Sequence, residues 1–188
     1  AMRGDCLVCG GGIEIEYDCF GNTDAEAVLL ISGLGTQMIR WSETFCQILA
    51  EHGFRVIRFD NRDAGLSTQF HSASMPDLAA IADAVSRGEA PNVPYTLVDM
   101  ANDAVGLLDA LMIKRAHVVG RSMGGMIAQL LASEHAERVL SLVSIMSSTG
   151  NRDLPQASPA VMAAMTSPAP HPLKDEQGYL AHCVAFSQ

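Results

Sequence analysis

Residues 116–135 read AHVVGRSMGGMIAQLLASEH, and this stretch decides the fold of the chain. Its first residues are mostly apolar, as in a strand buried within a sheet, and the residues after Ser122 have the spacing of a helix. Between them lies Gly120-Arg121-Ser122-Met123-Gly124, a G-x-S-x-G sequence. A serine between glycines at a strand-to-helix junction predicts a sharp turn that exposes its hydroxyl at the end of the sheet.

Such a turn presents its serine in the position of a catalytic nucleophile. The glycines leave room for neighbouring backbone that larger side chains would block, and the helix N-terminus points at the reaction centre. The backbone N–H of Met123 would then face the negative oxygen that develops when Ser122 attacks a carbonyl carbon. The competing interpretation is a glycine-bounded turn with an incidental serine, which the strand before it and the helix after it disfavour.

A second glycine-rich loop follows an earlier apolar strand. Ser32-Gly33-Leu34-Gly35-Thr36-Gln37 comes directly after the run VLLI. An oxyanion hole requires a second N–H donor from a loop in this position. We predict that the donor is Leu34, because the glycines on both sides let the backbone approach a substrate.

A third motif, DNRDAGLS, occupies residues 60–67 after another strand. Its two acids flank an arginine, so we expect Asp60, Arg62 and Asp63 to form a charge-assisted network that shapes the loop. The network would support the site without performing chemistry. An ordinary ordered loop is the competing interpretation.

The rest of the chain alternates strands with helices, which predicts an α/β fold with a mostly parallel sheet and helices on both faces. Strands are expected at residues 28–32, 54–59, 116–120 and 139–146, and helices at residues 38–52, 77–87, 96–112 and 123–135. A hairpin is expected from residues 6–9 and 13–20. Residues 1–150 form the predicted core, and the proline-rich composition that follows predicts that residues 151–188 begin a lid or cap.

Composition narrows the function classes. The net charge of −9 disfavours nucleic acid as a partner. No apolar run is long enough to span a membrane and no signal peptide is evident, so we expect a cytoplasmic protein. Cys6 and Cys9 form a C-x-x-C, but residues three apart in a strand point to opposite faces. We therefore predict neither a metal site nor a disulfide framework.

Together the three motifs resemble the α/β-hydrolase superfamily, in the esterase-like branch that includes aclacinomycin methylesterase-like proteins. S-G-L-G-T-Q, D-N-R-D-A-G-L-S and G-R-S-M-G-G match in order and spacing, over about residues 13–146. The resemblance implies the α/β-hydrolase fold and hydrolysis of a small-molecule ester by a Ser–His–Asp triad without a cofactor. Ser32 stands where many relatives carry histidine, so the first loop is a variant form.

The family order is serine, then acid, then histidine, with the last two after further strands beyond the lid. We therefore expect this chain to lack the last strands of the fold and the segments that supply the acid and the histidine. Asp153 with His171 or His182 is the shortened triad that the chain itself could offer, although no further strand would hold the histidine. A serine without a base is a poor nucleophile, so the chain alone is expected to be nearly inactive.

Other interpretations remain open at this stage. The protein could be a non-catalytic binding or interaction module on the same scaffold, or it could catalyse a different reaction, such as perhydrolysis or C–C bond cleavage. The apolar strand over residues 139–146 is expected to lie at an exposed sheet edge. We predict that a second copy or a partner chain covers it.

Overall fold

The computed structural model describes residues 2–3, 7–9, 12–71, 77–151, 153–155, 158–165, 167, 169–170 and 174–186. The chain divides into two compact units, Ala1–Thr149 and Gly150–Gln188. The strands are β1 (Met2–Arg3), β2 (Leu7–Cys9), β3 (Ile13–Ile15), β4 (Tyr17–Phe20), β5 (Glu26–Ile31), β6 (Phe54–Phe59), β7 (Ala116–Arg121) and β8 (Val139–Ile145). The α-helices are α1 (Glu43–Glu51), α2 (Leu78–Ser86), α3 (Leu97–Ala110), α4 (Met123–Glu134), α5 (Pro159–Met165) and α6 (Glu176–Phe186).

Six strands of the first unit form one sheet in the order β1-β4-β6-β5-β7-β8. The pairs β6–β5, β5–β7 and β7–β8 are parallel, whereas β1–β4 and β4–β6 are antiparallel. β2 and β3 form a separate antiparallel hairpin. The predicted α/β class with a mostly parallel sheet is therefore confirmed.

The single strand expected over residues 13–20 is wrong in one respect, because it divides at Glu16 into β3 and β4. The Glu16 N–H donates to Ser67 Oγ (3.0 Å), and the Glu16 carbonyl accepts from the Asp60 N–H (3.0 Å). The backbone groups of Glu16 are therefore bound by the loop after β6 and not by a neighbouring strand. Only β4 continues into the main sheet.

Helices cover both faces of the sheet. On one face, α3 and α4 pack against the side chains that alternate along the central strands; this core includes Leu29, Ile31, Ile57, Phe59, Val118, Leu107, Ile127 and Leu131. On the other face, α1 and the residues before it close a smaller core of Phe20, Val28, Leu30, Trp41, Cys46 and Val56. Strand β5 is covered on both sides, which accounts for its nearly continuous apolar sequence.

β8 lies at one margin of the main sheet, as far as the chain is described. It pairs with β7 on one side. Its side chains Leu142, Val143 and Ile145 are 40%, 47% and 40% exposed. An apolar strand with an open edge is a template for pairing with further polypeptide. In the same described residues, no helix is long and apolar enough to cross a bilayer.

A buried ion pair links β4 to β6. The Arg58 guanidinium donates to Asp18 Oδ2 from Nε (2.9 Å) and Nη2 (2.5 Å), and a third bond goes to the Trp41 carbonyl. Both charged residues are only 3% exposed. Removing one member of such a pair is costly, because the other charge stays buried without compensation.

We predict that Asp18→Asn lowers the free energy of unfolding by about 3 kcal/mol, since Arg58 loses its buried counterion and keeps only the exposed Glu43 carboxylate, 3.7 Å away. Urea denaturation followed by circular dichroism measures the change. Asp24→Asn is the matched control, because Asp24 is an exposed turn residue, and it should change stability by less than about 0.5 kcal/mol. Equal stabilities of the two variants would contradict the structural role assigned to Asp18.

Candidate active site

Ser122 lies between β7 and α4 in a left-handed backbone conformation, with φ 56° and ψ −124°. A residue with a side chain adopts this region only when its surroundings enforce it. The Ser122 N–H donates to the Ile145 carbonyl (2.9 Å), and its own carbonyl accepts from Ser147 Oγ (2.8 Å) and from the Gly125 N–H (2.8 Å). The turn is therefore held from β8 as well as from its own helix.

The glycines of the turn are required by close backbone contacts. A Cβ added at Gly120 would lie 2.1 Å from the Gly124 carbonyl oxygen. One added at Gly124 would lie 2.2 Å from the carbonyl oxygen of Ile31, the last residue of β5. Any side chain would force these segments apart, so both glycines of the G-x-S-x-G sequence are steric requirements.

The loop after β5 approaches the serine closely. A Cβ at Gly33 would lie 3.3 Å from Ser122 Cβ and 3.8 Å from its Oγ. The Thr36 N–H and Oγ1 both donate to the Gly33 carbonyl, at 3.3 and 2.9 Å, which closes a turn with Leu34 at its tip. In the described part of the chain, no hydrogen bond uses the N–H of Leu34 or of Met123. Both predicted oxyanion donors remain available.

Two side chains at the end of β6 fix the ends of this loop. Asp60 is buried, and its Oδ1 accepts from the Met38 N–H (2.7 Å) while Oδ2 accepts from the Leu66 N–H (3.1 Å). The Asn61 side-chain amide donates to the Ser32 carbonyl (3.0 Å). Asn61 thus fixes the start of the loop at Ser32, and Asp60 fixes its end at Met38.

Arg62 forms its ion pair outside the motif that was expected to hold it. Its Nε and Nη2 donate to the two carboxylate oxygens of Asp103 on α3, each at 2.6 Å. Neither Asp60 nor Asp63 pairs with it, so the predicted network of these three residues is wrong in its partners. Burial acts to lower the Arg62 pKa, but the hydrogen bonds and charge of Asp103 outweigh it, and the pKa is raised.

Sequence reasoning missed Asp103, although a signal was available. Asp103 is 4% exposed and lies on the apolar face of α3 with Met100, Ala104 and Leu107. A carboxylate among buried apolar positions of a helix requires a cationic partner. The pattern alone did not say which cation would supply it.

Asp63 instead binds Tyr95, a second residue that the sequence did not single out. The Tyr95 hydroxyl donates to Asp63 Oδ2 (2.6 Å), and the Phe70 N–H donates to Oδ1 (2.7 Å). Burial, followed by the hydrogen bond to Asp63 and its charge, raises the pKa of Tyr95 to about 12. Tyr95 therefore stays a hydrogen-bond donor throughout the neutral range. The Arg62 guanidinium lies 5.0 Å from the Tyr95 ring centre.

The candidate acid and histidines belong to the second unit. Asp153 is an exposed turn residue, and His182 lies half-buried in α6. His171 falls outside the described residues. These three assignments stay predictions.

His117 of β7 is engaged elsewhere. Its ring nitrogens hydrogen-bond Ser141 Oγ (2.7 Å) and Glu26 Oε1 (2.6 Å). It precedes Ser122 by five strand positions, or roughly 16 Å at 3.3 Å per residue, so it cannot reach the serine hydroxyl. Cys6 lies outside the described residues, and within them no three side chains of His, Cys, Asp or Glu cluster as a metal site requires.

Comparison with known proteins identifies the fold. A family model described as the alpha/beta hydrolase fold matches residues 26–183. The solved structure of a hydrolase from Pseudomonas aeruginosa PA01 superposes with a TM-score of 0.63 at 26% identity, covering 94% of this chain and 57% of that one.

Two curated relatives also match. RutD of Variovorax paradoxus (strain S110), provisionally named a carbamate hydrolase, is 35% identical over 131 residues, which are 70% of this chain and 41% of RutD. The rhodomycin D methylesterase DauP of Streptomyces sp. (strain C5) is 35% identical over 119 residues, 63% of this chain and 34% of DauP. The chain thus spans about two fifths or less of the length of these relatives.

We predict that Gly124→Ala lowers the free energy of unfolding by at least about 3 kcal/mol, because its methyl group would overlap the Ile31 carbonyl. Thermal and urea unfolding measure the loss. Gly88→Ala is the control: Gly88 has open space around it at φ +72°, so only backbone strain of about 1 kcal/mol is expected there. A Gly124→Ala protein as stable as the control would contradict the packing described for the turn.

Proposed function

The chain belongs to the α/β-hydrolase fold family, and from that premise we propose that it contains the nucleophile portion of a serine hydrolase acting on carboxylic esters, with Ser122 as the nucleophile. The observation that supports this most directly is the left-handed Ser122 with the Gly33–Thr36 turn packed beside it. A strained serine at a strand-to-helix junction, facing a loop with unused N–H groups, is what acyl transfer requires.

In the proposed reaction, Ser122 Oγ attacks the carbonyl carbon of the ester and its proton passes to a base. The carbonyl oxygen becomes an oxyanion, which the N–H groups of Leu34 and Met123 stabilise. The acyl–alcohol bond then breaks, and the alcohol leaves with the proton returned by the base. Water releases the acyl group in a second round, so no cofactor is needed.

The base and its acid do not come from the first unit in this proposal. The histidine His117 is bound to Glu26 and Ser141, and His135 to Asn102. We propose that the acid and histidine come from the second unit, through Asp153 with His171 or His182, or from a further segment or chain. The longer relatives are consistent with a further segment.

The relatives support a proposed class of substrate. A methylesterase relative favours a carboxylic ester, and the match to RutD makes a carbamate the second candidate. Both substrates present a carbonyl carbon and pass through the same tetrahedral oxyanion, so the proposed site serves either one. A panel of esters and carbamates with matched leaving groups separates the two.

We predict that a fluorophosphonate labels Ser122. Where the histidine comes from a further segment or chain, free imidazole should accelerate the labelling on the order of tenfold or more. A positioned base is worth about 10²–10⁴-fold, and imidazole in solution replaces part of that contribution. Intact-mass spectrometry and peptide mapping follow the adduct. Ser122→Ala should abolish it.

Ser86→Ala is the matched control, since Ser86 is exposed on α2. This variant should be labelled at the same rate as the unchanged chain. Absence of an adduct at Ser122 in saturating imidazole, at a pH where imidazole is neutral, would remove the serine hydrolase proposal. It would favour a binding module on the same scaffold.

The open edge of β8 carries a separate proposal about partners. We propose that β8 pairs with β8 of a second copy, because antiparallel pairing about a twofold axis brings identical surfaces together and closes both edges. The exposed Leu142, Val143 and Ile145 would then be shared between the two copies.

Sedimentation velocity should therefore show a dimer, and Val143→Lys should shift it to monomer, because a charge on the edge opposes pairing. Val85→Lys is the control, since Val85 is similarly exposed (41%) but lies on α2. A monodisperse monomer for the unchanged chain would overturn the pairing.

A further inference from the structure

A cavity of about 360 Å³ lies beside the proposed oxyanion donors. Leu34 and Met123 form one part of its lining, and the rest includes Asp63, Tyr95, Leu97 and Met100. The volume is within the range of small-molecule sites, which are mostly apolar with a few fixed polar groups. Because Leu34 and Met123 are the proposed oxyanion donors, the cavity is a candidate subsite for part of the substrate.

The apolar wall of the cavity lies at the capped start of a helix. Leu97 and Met100 lie in the first turns of α3, where Thr96 caps the helix: the Thr96 N–H donates to Asp99 Oδ2 (2.7 Å) and the Asp99 N–H donates to Thr96 Oγ1 (3.4 Å). This reciprocal cap satisfies N–H groups that would otherwise lack partners and fixes where the helix begins. A fixed apolar wall selects for shape, because it cannot move to admit a bulkier group.

The polar residues of the lining are Asn61, Arg62, Asp63, Tyr95 and Thr96, and among them Tyr95 and Asp63 are hydrogen-bonded to each other. The hydroxyl proton of Tyr95 is committed to Asp63 Oδ2 at 2.6 Å, so toward the cavity the Tyr95 oxygen acts as a hydrogen-bond acceptor. A ligand can therefore satisfy it with a hydroxyl or N–H donor. A ligand with only acceptors at this position would leave the Tyr95 oxygen unmatched.

The charges around the cavity disfavour anions. The positive charge of Arg62 is compensated by two hydrogen bonds to Asp103, at 2.6 Å each. Asp63 has no cationic partner among its contacts with Tyr95 and Phe70. A ligand carboxylate placed here would meet the Asp63 carboxylate without a free cation to offset the repulsion.

We propose that this cavity binds an uncharged, mainly apolar substituent of the substrate, whose hydrogen-bond donor faces the Tyr95 oxygen. The proposal rests on the proposed function, in that it takes Leu34 and Met123 as the donors beside which the ester group sits. It names the class of substrate: a neutral ester with a hydroxylated apolar group. Tyr95 and Leu97 are then specificity-determining residues.

The test measures binding of three probes to the Ser122→Ala chain, which cannot be acylated at that position. The probes are methyl 3-phenylpropanoate, methyl 3-(4-hydroxyphenyl)propanoate and methyl 3-(4-carboxyphenyl)propanoate. Titrations followed by NMR give each Kd. We expect the hydroxylated ester to bind about fivefold more tightly than the unsubstituted one, as one hydrogen bond allows, and the carboxylate to bind at least tenfold more weakly than the hydroxylated ester.

Two further variants in the same background locate the binding. Tyr95→Phe should remove the preference for the hydroxyl while leaving the Kd of the unsubstituted ester within about twofold. Leu97→Phe should fill the cavity and weaken both neutral esters at least tenfold, and circular dichroism checks its fold. Should Leu97→Phe fail to fold, Leu97→Ala removes part of the same wall and should weaken both neutral esters through the lost apolar contact.

Three results would overturn the proposal: unchanged affinities in the folded Leu97 variants, a hydroxyl preference that survives in Tyr95→Phe, or a carboxylate probe that binds as well as the hydroxylated ester. The serine labelling experiment is independent of these titrations. Labelling of Ser122 with unaltered probe affinities would remove the subsite alone, whereas selective probe binding without labelling would remove the hydrolase and leave a binding cavity.

Discussion

The structure depends on one close approach of backbone segments, where the start of α4 meets the end of β5. The Ile31 carbonyl occupies the space that a side chain at position 124 would need. The Gly124 carbonyl occupies the space that a side chain at position 120 would need. Because these contacts allow no side chain, the turn between them can only pass through a compressed, left-handed Ser122. The same contacts bring Gly33 against Ser122, so the proposed nucleophile and the loop of the second proposed oxyanion donor are positioned together.

A buried polar network then keeps the loops in place. Asp60 accepts hydrogen bonds from the N–H groups of Met38 and Leu66. The ion pair of Arg62 with Asp103 connects the loop after β6 to α3. Such groups cost free energy to bury, and only complete hydrogen bonding offsets that cost. The network therefore specifies one loop conformation more than it adds stability. Arg62 and Asp63 also line the proposed substrate cavity beside Leu34, so the network connects to that cavity.

β8 connects the candidate site to the edge of the sheet. It receives the Ser122 N–H through the Ile145 carbonyl, and Ser147, just after it, binds the Ser122 carbonyl. A change at this edge would consequently reach the nucleophile through two hydrogen bonds. In the proposed reaction, oxyanion donors without a base would retain only about 10³–10⁴-fold over water. The proposed activity therefore depends on the supply of a histidine.

The sequence by itself determined the strand-turn-helix around Ser122, the alternation of strands with helices and the steric need for Gly120 and Gly124. These features are encoded in contiguous residues, through apolar periodicity and the space that glycine leaves. The tertiary structure alone decided that Arg62 pairs with Asp103, that Asp63 binds Tyr95 and that the strand over residues 13–20 divides at Glu16. A charged side chain shows in the sequence that it needs a partner, but which partner lies within hydrogen-bond distance depends on how distant segments pack together.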